Sequence, residues 1–325
     1  MKKKPTDTGS VRMFSNDLEA EFLRRPNRFL IIAGNNGEEL PCHCPNPGRL
    51  EELLFPGVTL ILEKRGSAGA LKSAAKTGWT AAGLYHREST APLFSARANN
   101  AAEKLLLPTL IPGLKDVRRE YTIGGSRFDF LCSDSGGTKH LIEVKACSLV
   151  EYGVAMFPDA PSSRALKHLE ELASLAGEGY RCHILFVIVH GTPGVFIPNL
   201  HTDPEFSAAL SRYSGRVNIH ASLLRCSRDG AAELALPSVP VDLSHGALAA
   251  ENRGSYLIVL EIPEETETAV GALGNLRFRK GWYVYAGSAQ RNLSGRIARH
   301  LRKVRKKKHW HLDYLTPAAG TIKAF

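Results

Sequence analysis

Short runs of apolar residues separated by turn signals form the first part of the chain. Residues 28–33 are largely apolar, residues 34–37 read Gly-Asn-Asn-Gly, and residues 57–62 form a second aliphatic run. Gly and Asn favour tight turns because they tolerate positive φ angles. Apolar runs of this length between turn signals are typical of β-strands. Several such strands in succession predict a small β-barrel over residues 12–90.

The pattern then changes to helix and to paired strands. Residues 96–107 are rich in alanine and predict a helix that Pro108, Pro112 and Gly113 bring to an end. Residues 126–132 and 139–147 predict two antiparallel strands, because the cluster between them consists of turn-forming residues.

An amphipathic helix and a buried strand are predicted next. Residues 162–176 carry leucines at helical spacing, with Ser162 and Ser163 as candidates for the helix cap. Residues 183–190 are continuously apolar, as expected of a strand that is covered on both faces. Strand, helix and strand in this order predict a mixed α/β domain over residues 91–236.

A change in composition predicts a linker over residues 237–253, which contain Pro237, Pro240 and a stretch of small residues. After it, residues 256–261 and 282–286 predict strands, and residues 293–305 predict a basic helix. We therefore expect a small third module over residues 254–325. The fold class that this pattern predicts is α/β with a mixed sheet.

Charge adds a candidate partner. The 325 residues include 42 Lys and Arg against 32 Asp and Glu, a formal net charge of +10. Such an excess favours an anionic partner, because each cation set against a phosphate releases condensed counterions. A basic surface that serves solubility explains the composition equally well.

The sequence also bears on location. No apolar run approaches the roughly 20 residues that span a bilayer, and residues 5–10, after the first lysines, are polar. We expect a cytoplasmic protein with no membrane partner. The six cysteines are expected to be reduced core residues. Cys42 and Cys44 are too close in sequence for a usual zinc pair, so a zinc site is rejected.

The predicted strand pair carries the candidate chemistry. Glu143 and Lys145 alternate with Ile142 and Val144 and therefore share one face of their strand. On the other strand, Asp129 lies between two phenylalanines that we expect on the opposite, buried face. Two carboxylates and an ammonium group gathered on one patch suit phosphodiester cleavage, in which carboxylates hold a metal ion that activates water. An ordinary solvated strand face is the alternative, and Glu-Val-Lys alone favours that alternative.

Longer motifs resemble a known family. The segments are HCPNPGRLEELLFPG at 43–57, GSRFDFL at 125–131, EVKACSLVEYGVAMFPDAP at 143–161 and KHLEEL at 167–172. They resemble the sugar fermentation stimulation protein family (SfsA) over residues 12–235. The resemblance implies an N-terminal OB-like barrel, a nuclease domain of the PD-(D/E)XK type, and DNA binding.

The same resemblance implies roles for individual residues. Asp129, Glu143 and Lys145 would occupy the catalytic positions, with Asp129 and Glu143 as metal ligands. Glu103 matches the place of a further metal-binding acid, although an exposed helix glutamate is an equal alternative. Asp159 either reaches the metal or caps the following helix, and capping is favoured.

Basic residues are the candidates for contact with nucleic acid. On the helix, Arg164, Lys167 and His168 either hold phosphate or form a solvated charged face. Ala165 stands where the family usually has glycine. In the barrel, Arg28 and Arg49 are the candidates, together with Arg24 and Arg25, because OB-like folds bind single strands with basic and stacking groups.

The last module shows a second resemblance. The segments GSYLIVLEI, WYVYAGSAQRNLSGRIARHL and KKHWHLDYL resemble the Uri-type branch of the GIY-YIG nuclease superfamily. That resemblance implies a tyrosine, or its water, as general base and an arginine that steadies phosphate. The corresponding residues are Tyr256, Tyr285, Gly287, Arg296 and His300.

The superfamily places a metal-binding glutamate further downstream, but no Glu follows Glu267. The module is therefore predicted to be incomplete and not to cut by itself. The basic run that follows the helix, with Trp310 after it, predicts a phosphate-gripping surface, whereas a solvated helix face is the ordinary alternative. The run comprises Arg299, Arg302, Lys303, Arg305, Lys306, Lys307 and Lys308.

Together these patterns predict a nuclease that cleaves DNA or RNA with Mg²⁺ or Mn²⁺. The alternative is a non-catalytic DNA-binding regulator of sugar (maltose-type) metabolism genes. A weaker third hypothesis is an RNA-processing factor led by the C-terminal module.

Overall fold

The structure is a computed structural model, and it describes residues 9–65, 77–86, 89–304 and 307–325. The chain divides into two compact units, Met1–Ala247 and Leu248–Phe325. The predicted mixed α/β class is confirmed. Among the described residues, no helix combines the length and the apolar character that crossing a membrane requires.

A five-stranded barrel opens the first unit. The strands of this region are β1 Val11–Arg12, β2 Leu18–Asn27, β3 Leu30–Asn35, β4 Glu38–His43, β5 Thr59–Lys64, β6 Trp79–His86 and β7 Ser89–Pro92. The hydrogen-bonded order is β4-β3-β2-β5-β6, and β4 also pairs in parallel with β6, which closes the barrel. Ile31, Leu60 and Leu84 fill its interior. The predicted OB-like barrel is thus confirmed, with the predicted turn at Asn36 and Gly37, both at positive φ.

A broken helical path follows the barrel. It consists of a 3-10 turn at Ser95–Arg97, α1 Ala98–Ala101, a π-helical turn at Ala102–Leu106 and α2 Leu107–Leu110. The expectation that Pro108 ends the helix is wrong, because Pro108 lies in the first turn of α2. A proline there costs no hydrogen bond, since the first N–H groups of a helix have no partner within it.

A mixed sheet forms the centre of the first unit. Its elements are β8 Lys115–Ile123, β9 Ser126–Ser133, β10 Lys139–Cys147, β11 Leu149–Glu151, β12 Val154–Phe157, α3 Ser163–Leu175, a 3-10 turn Ala176–Glu178, β13 Arg181–Ile188, β14 Val195–Pro198, α4 Pro204–Tyr213, β15 Val217–Cys226 and β16 Ala231–Leu236. The predicted antiparallel pair is β9 and β10. Strands β10, β13 and β15 run in parallel, and the sheet order is β15-β13-β10-β9-β8. Within the described residues this sheet is continuous with the barrel through β7.

Two cores cover the two faces of this sheet. Ile142 and Val144 of β10 pack with alanines and leucines of the 98–110 helical path. Leu141, which directly precedes Ile142, packs with Leu169 and Leu172 of α3 on the other face. The side chains of β10 therefore alternate between two helical layers. Ser162 caps α3 through its hydroxyl, which accepts the Ala165 N–H at 3.1 Å, as predicted.

The second unit is a small sheet with two short helices. Its elements are β17 Gly254–Ile262, β18 Thr266–Ala269, a 3-10 turn Gly271–Leu273, β19 Asn275–Phe278, β20 Gly281–Ala289, α5 Leu293–Leu301, α6 His311–Leu315, a 3-10 turn Thr316–Ala318 and β21 Ile322–Ala324, and a further 3-10 turn, Gly246–Glu251, spans the division between the units. The sheet order is β20-β17-β21, all antiparallel. The predicted helix reaches Leu301 and not residue 305, because Arg302 is extended and the Lys303 ammonium donates to the carbonyls of Ala319 and Gly320.

Candidate functional site

Glu143 is the most deeply buried acid of the predicted constellation, with only 3% of its surface exposed. Its Oε1 accepts two hydrogen bonds, from Lys145 Nζ at 2.5 Å and from His168 Nδ1 at 2.6 Å. Burial raises the pKa of Glu143, but the hydrogen bonds from His168 and Lys145 outweigh it, so the pKa lies below its ordinary value. Within the described residues, the other oxygen, Oε2, is buried and has no hydrogen-bond partner.

Asp129 lies where the ladder between β9 and β10 stops. The last paired residues are Phe130 and Ile142. Beyond them the Asp129 carboxylate accepts hydrogen bonds instead of the main chain. Its Oδ2 accepts the Val144 N–H at 2.7 Å, and its Oδ1 accepts a hydrogen bond from Asn99 Nδ2 at 2.6 Å. Burial, reinforced by the charge of Glu143, raises the pKa of Asp129 to about 6, against the opposing effect of the Val144 N–H.

The phenylalanines beside Asp129 do not share a face. Phe128 packs with the α3 core, its ring 5.6 Å from that of His168, whereas Phe130 belongs to the core of the α1 side. The expectation that both lie opposite Asp129 is therefore wrong. The alternation of β9 is broken at Asp129, and its carboxylate is held by a strand and a helix rather than by strand geometry alone.

Glu103 lies apart from this pair. It belongs to the π-helical turn and forms an ion pair with Arg119 of β8. In the part of the chain that the structure describes, no three His, Cys, Asp or Glu side chains are gathered closely enough to hold a metal ion. The predicted three-carboxylate set of Asp129, Glu143 and Glu103 is thus not assembled among the described residues, and the ion-pair partner of Glu103 is Arg119.

The three predicted contacts on α3 have different surroundings. Arg164 is exposed. Lys167 is also exposed, and its ammonium donates to the carbonyl of Gly125 at 3.0 Å. His168 is only 5% exposed and hydrogen bonds to Glu143. It therefore belongs to the buried surroundings of the acid site and not to a surface that could contact nucleic acid.

The barrel presents its candidate cations around one central guanidinium. Arg28 and Arg49 are exposed. Arg25 ties them together by donating to the Arg28 carbonyl at 2.8 Å and to the Arg49 carbonyl at 2.5 Å, so it supports the loops and is not itself a free phosphate ligand. Arg24 is paired with Glu39. Phe29, which sequence reasoning did not single out, is 59% exposed next to Arg28 and offers an aromatic face.

Asp159 neither caps α3 nor joins the acid pair. Its carboxylate lies against the barrel loop at Gly48, where any side chain would overlap it. Burial raises the pKa of Asp159, and the N–H groups of Arg49 and Leu50 act in the opposite direction. The favoured expectation that Asp159 caps the helix is wrong, because Ser162 holds that position.

The second unit brings its predicted residues together. The Tyr256 hydroxyl and His300 Nε2 are 2.9 Å apart and buried, and the Tyr285 ring lies 5.7 Å from that of His300. Gly287 pairs with Tyr256 across β17 and β20, and a Cβ there would lie 2.5 Å from the Tyr256 hydroxyl. Arg296 donates to the Ser288 carbonyl at 2.7 Å. Burial and Tyr285 raise the pKa of Tyr256.

Sequence patterns did not reveal two partners of these sites, the half-buried Asn99 and the buried Asp313. Asn99 holds Asp129, and it precedes Glu103 by one helical turn, so a search of that helical face for polar groups finds it. Asp313 of α6 accepts Arg299 Nη2 at 2.8 Å and lies 3.7 Å from His300 Nδ1. Its sequence signal is an acid inside the apolar segment HLDYL.

Two cations of the basic run that was predicted to bind phosphate already have partners within the C-terminal unit. Arg299 is paired with Asp313, and Lys303 with two carbonyls. Arg302, Lys307 and Lys308 are exposed. Arg305 and Lys306 lie outside the described residues.

Comparison with known proteins identifies the family. The model of the SfsA N-terminal OB domain matches residues 23–91, and that of the sugar fermentation stimulation protein RE domain matches residues 96–230. A homologue from Pyrobaculum neutrophilum is 37% identical over 214 residues, which cover 65% of this chain and 89% of the relative. The chain belongs to the sugar fermentation stimulation protein family. The predicted family is thereby confirmed.

Other relatives agree with this assignment. The sugar fermentation stimulation protein homologue of Methanothermobacter thermautotrophicus is 35% identical, covering 64% of this chain and 85% of the relative. A solved structure of Pyrococcus furiosus SfsA, in complex with Ca²⁺, is 28% identical with a TM-score of 0.61, covering 71% of this chain and 99% of that one. Residues 255–324 match a domain of unknown function, DUF123. The GIY-YIG resemblance of this region stays a prediction.

Proposed function

We propose that this SfsA-family protein is a divalent-metal-dependent nuclease that cleaves phosphodiester bonds of DNA or RNA. The proposal rests on Glu143. One oxygen of its carboxylate accepts both Lys145 and His168, while the other is buried with no partner among the described residues. A buried carboxylate oxygen without a hydrogen bond costs about 1–3 kcal/mol or more. A bound cation is the simplest group that would offset this cost.

The donor set suits Mg²⁺ or Mn²⁺. Both ions prefer carboxylate oxygens and are commonly held by one or two carboxylates plus water and substrate phosphate. Glu143 and Asp129 are the two acids here, close enough for the charge of Glu143 to raise the pKa of Asp129. The Pyrococcus furiosus relative was solved with Ca²⁺, which also prefers oxygen ligands. Glu143 Oε2 and the Asp129 carboxylate would therefore hold the ion.

The residues of the chain supply the rest of the chemistry. When bound, the metal would lower the pKa of a water molecule and neutralise charge on the phosphate. Asn99 and the Val144 N–H fix the Asp129 carboxylate. The Lys145 ammonium, beside Glu143, stabilises the negative charge that grows on the phosphoryl oxygens as water oxygen bonds to phosphorus and the bond to the leaving oxygen breaks. The water's proton passes to solvent, and the leaving oxygen gains one.

Exposed cations supply a path for the substrate. Arg28 and Arg49 on the barrel and Arg164 and Lys167 on α3 are solvent-exposed. Phe29 adds an aromatic face to the barrel group, and base stacking on such a face contributes roughly 1–3 kcal/mol per base. These groups support binding of a nucleic-acid backbone, which both the nuclease and the regulator require.

The decisive experiment is a cleavage assay. Labelled single- and double-stranded DNA and RNA are incubated with the protein in Mg²⁺, Mn²⁺ or EDTA, beside Asp129→Asn and a matched control, Glu170→Gln, which removes one exposed acid of α3. We expect cutting that requires metal, persists in the control and is lost in Asp129→Asn. Binding without cutting in every condition would support a non-catalytic DNA-binding regulator of sugar metabolism genes.

A second candidate activity belongs to the C-terminal unit, and it runs against the sequence-based prediction that this unit does not cut by itself. It is favoured by the hydrogen bond between Tyr256 and His300 and by Arg296, which lies on the same helix α5 as His300 and donates to the Ser288 carbonyl. A tyrosine hydroxyl next to an imidazole is suited to proton transfer at a phosphate. Cutting that persists in Asp129→Asn and disappears when Tyr256→Phe is added would assign activity to this unit. No cutting in Asp129→Asn leaves the first site as the only source.

A further inference from the structure

The hydrogen bonds to Glu143 are distributed unequally. Both donors, Lys145 Nζ and His168 Nδ1, reach the same oxygen, Oε1. Because an ionised carboxylate only accepts hydrogen bonds, Nδ1 of His168 must carry the hydrogen. Oε2 is buried and has no hydrogen-bond partner among the described residues. The pair of donors therefore selects which oxygen of Glu143 is available to a cation.

His168 is held more firmly than Lys145. Its imidazole is buried on α3 and lies against the Phe128 ring, and the neighbouring Leu169 is fully enclosed in the same core. An imidazole has two rotatable bonds, whereas a lysine ammonium sits on a flexible four-carbon stem. Packing and helix geometry thus fix the position of the Nδ1 donor, while the ammonium can follow the carboxylate.

We propose that His168 is a positioning residue: its Nδ1–H holds Glu143 Oε1 and so presents Oε2 as the metal-binding oxygen. The inference rests on the proposed function, because it names how the chain orients one ligand of that site. Groups that hydrogen bond to a metal ligand without touching the metal commonly change metal affinity about 10–100-fold when they are removed. We assign His168 that role in place of the phosphate contact expected from its sequence position.

Metal affinity, measured without any substrate, tests this role. Mn²⁺ binding is followed by titration calorimetry and by electron paramagnetic resonance for wild type, His168→Leu, His168→Asn and His168→Gln. Asparagine places its amide nitrogen where Nδ1 was, at the same number of bonds from the backbone, whereas glutamine places it one bond further. We expect His168→Leu and His168→Gln to bind Mn²⁺ about 10–100-fold more weakly and His168→Asn to stay within about 3-fold of wild type. Glu170→Gln is the control on the same helix.

Several results would overturn the inference. Equal Mn²⁺ affinity in His168→Leu and wild type means that the histidine only packs α3 onto the sheet. The substitution then changes only the stability of the protein, which thermal unfolding measures. Weak binding in His168→Asn as well as in His168→Gln excludes the Nδ1 hydrogen bond as the cause. Should His168→Leu fail to fold, the Asn and Gln variants still decide. Wild type that binds Mn²⁺ without cutting nucleic acid refutes the proposed nuclease activity but not the positioning role of His168. Wild type that binds no Mn²⁺ refutes both proposals.

Discussion

The Val144 N–H donates to the Asp129 carboxylate at 2.7 Å, at the point where the hydrogen-bond ladder of β9 and β10 ends. The side chain of Asp129 thus replaces a main-chain acceptor. Its second oxygen accepts the Asn99 amide at 2.6 Å. Asp129 therefore contributes hydrogen bonds to the fold as well as a charge to the site, and the two contributions can be separated by substitution.

We expect Asp129→Asn to fold at least as stably as wild type at pH 8. Burial raises the pKa of Asp129 from 3.8 to about 6, so the unfolded chain releases this proton first and stability falls as the pH rises from about 4 to 6. Asparagine carries no such charge, its oxygen still accepts the Val144 N–H, and Asn99 can turn its amide to present an oxygen. Asp129→Ala keeps neither bond and should lose about 1–3 kcal/mol relative to Asp129→Asn. Urea unfolding measures both; equal stability of the two variants would contradict the expectation.

Lys145→Met separates catalysis from metal binding. Removing the ammonium takes away the group that stabilises developing phosphoryl charge, and we expect cleavage to slow about 10²–10³-fold. Metal affinity should be unchanged or higher, because a cation next to Glu143 opposes the binding of another cation. Single-turnover cleavage and Mn²⁺ titration give the two quantities. A fall in affinity comparable with that of His168→Leu would show that Lys145 serves mainly to orient Glu143.

Strand periodicity was sufficient to predict the relationship of Glu143 to Lys145. Residues two apart on a strand share a face, and the two side chains do meet. The family motifs and the turn residues likewise led to the barrel and to the β9–β10 pair. These features depend on local geometry, which the order of residues carries directly.

The surroundings of the site depend on packing between distant segments. His168 and Arg164 share a helical face by spacing, yet His168 is buried against Phe128 and Glu143 of the sheet, whereas Arg164 is exposed. Asn99 reaches Asp129 across 30 positions of sequence. The end of α5 at Leu301 likewise depends on carbonyls of Ala319 and Gly320. Spacing within one element carries no information about such partners.

Gly287→Ala should disturb the Tyr256–His300 pair in the C-terminal unit. A Cβ at this position would lie 2.5 Å from the Tyr256 hydroxyl, so the buried ring must shift, and its hydrogen bond to His300 must change with it. Overpacking of this kind costs about 1–3 kcal/mol. Thermal unfolding and the tyrosine and imidazole NMR signals provide the measurement. Gly320→Ala is the matched control, since its Cβ would meet only ordinary contacts at 3.5 Å or more; equal effects of both changes would argue against the close approach.

Three histidines form a stacked row across the parallel strands of the first unit. His140 Nδ1 and His183 Nε2 are 3.0 Å apart, and His183 Nδ1 and His220 Nε2 are also 3.0 Å apart. His140 Nε2 lies 3.3 Å from the Asp134 carboxylate at one end. Burial, followed by the charges of His220, His140 and Arg181, lowers the pKa of His183 to about 3. The central imidazole is thus held neutral.

This row predicts a loss of stability in acid. Between pH 6.5 and about 3 the unfolded chain binds a proton at His183 that the folded chain does not, so the free energy of unfolding falls as the pH falls through this range. One such group contributes at most about 1.4 kcal/mol per pH unit. His183→Leu should be less stable at pH 7.5, because it leaves ring nitrogens of His140 and His220 without their bonds, but its stability should decline less steeply towards pH 4.5. Urea unfolding at several pH values measures the slopes, and parallel curves for the two proteins would show that the row does not set the acid sensitivity.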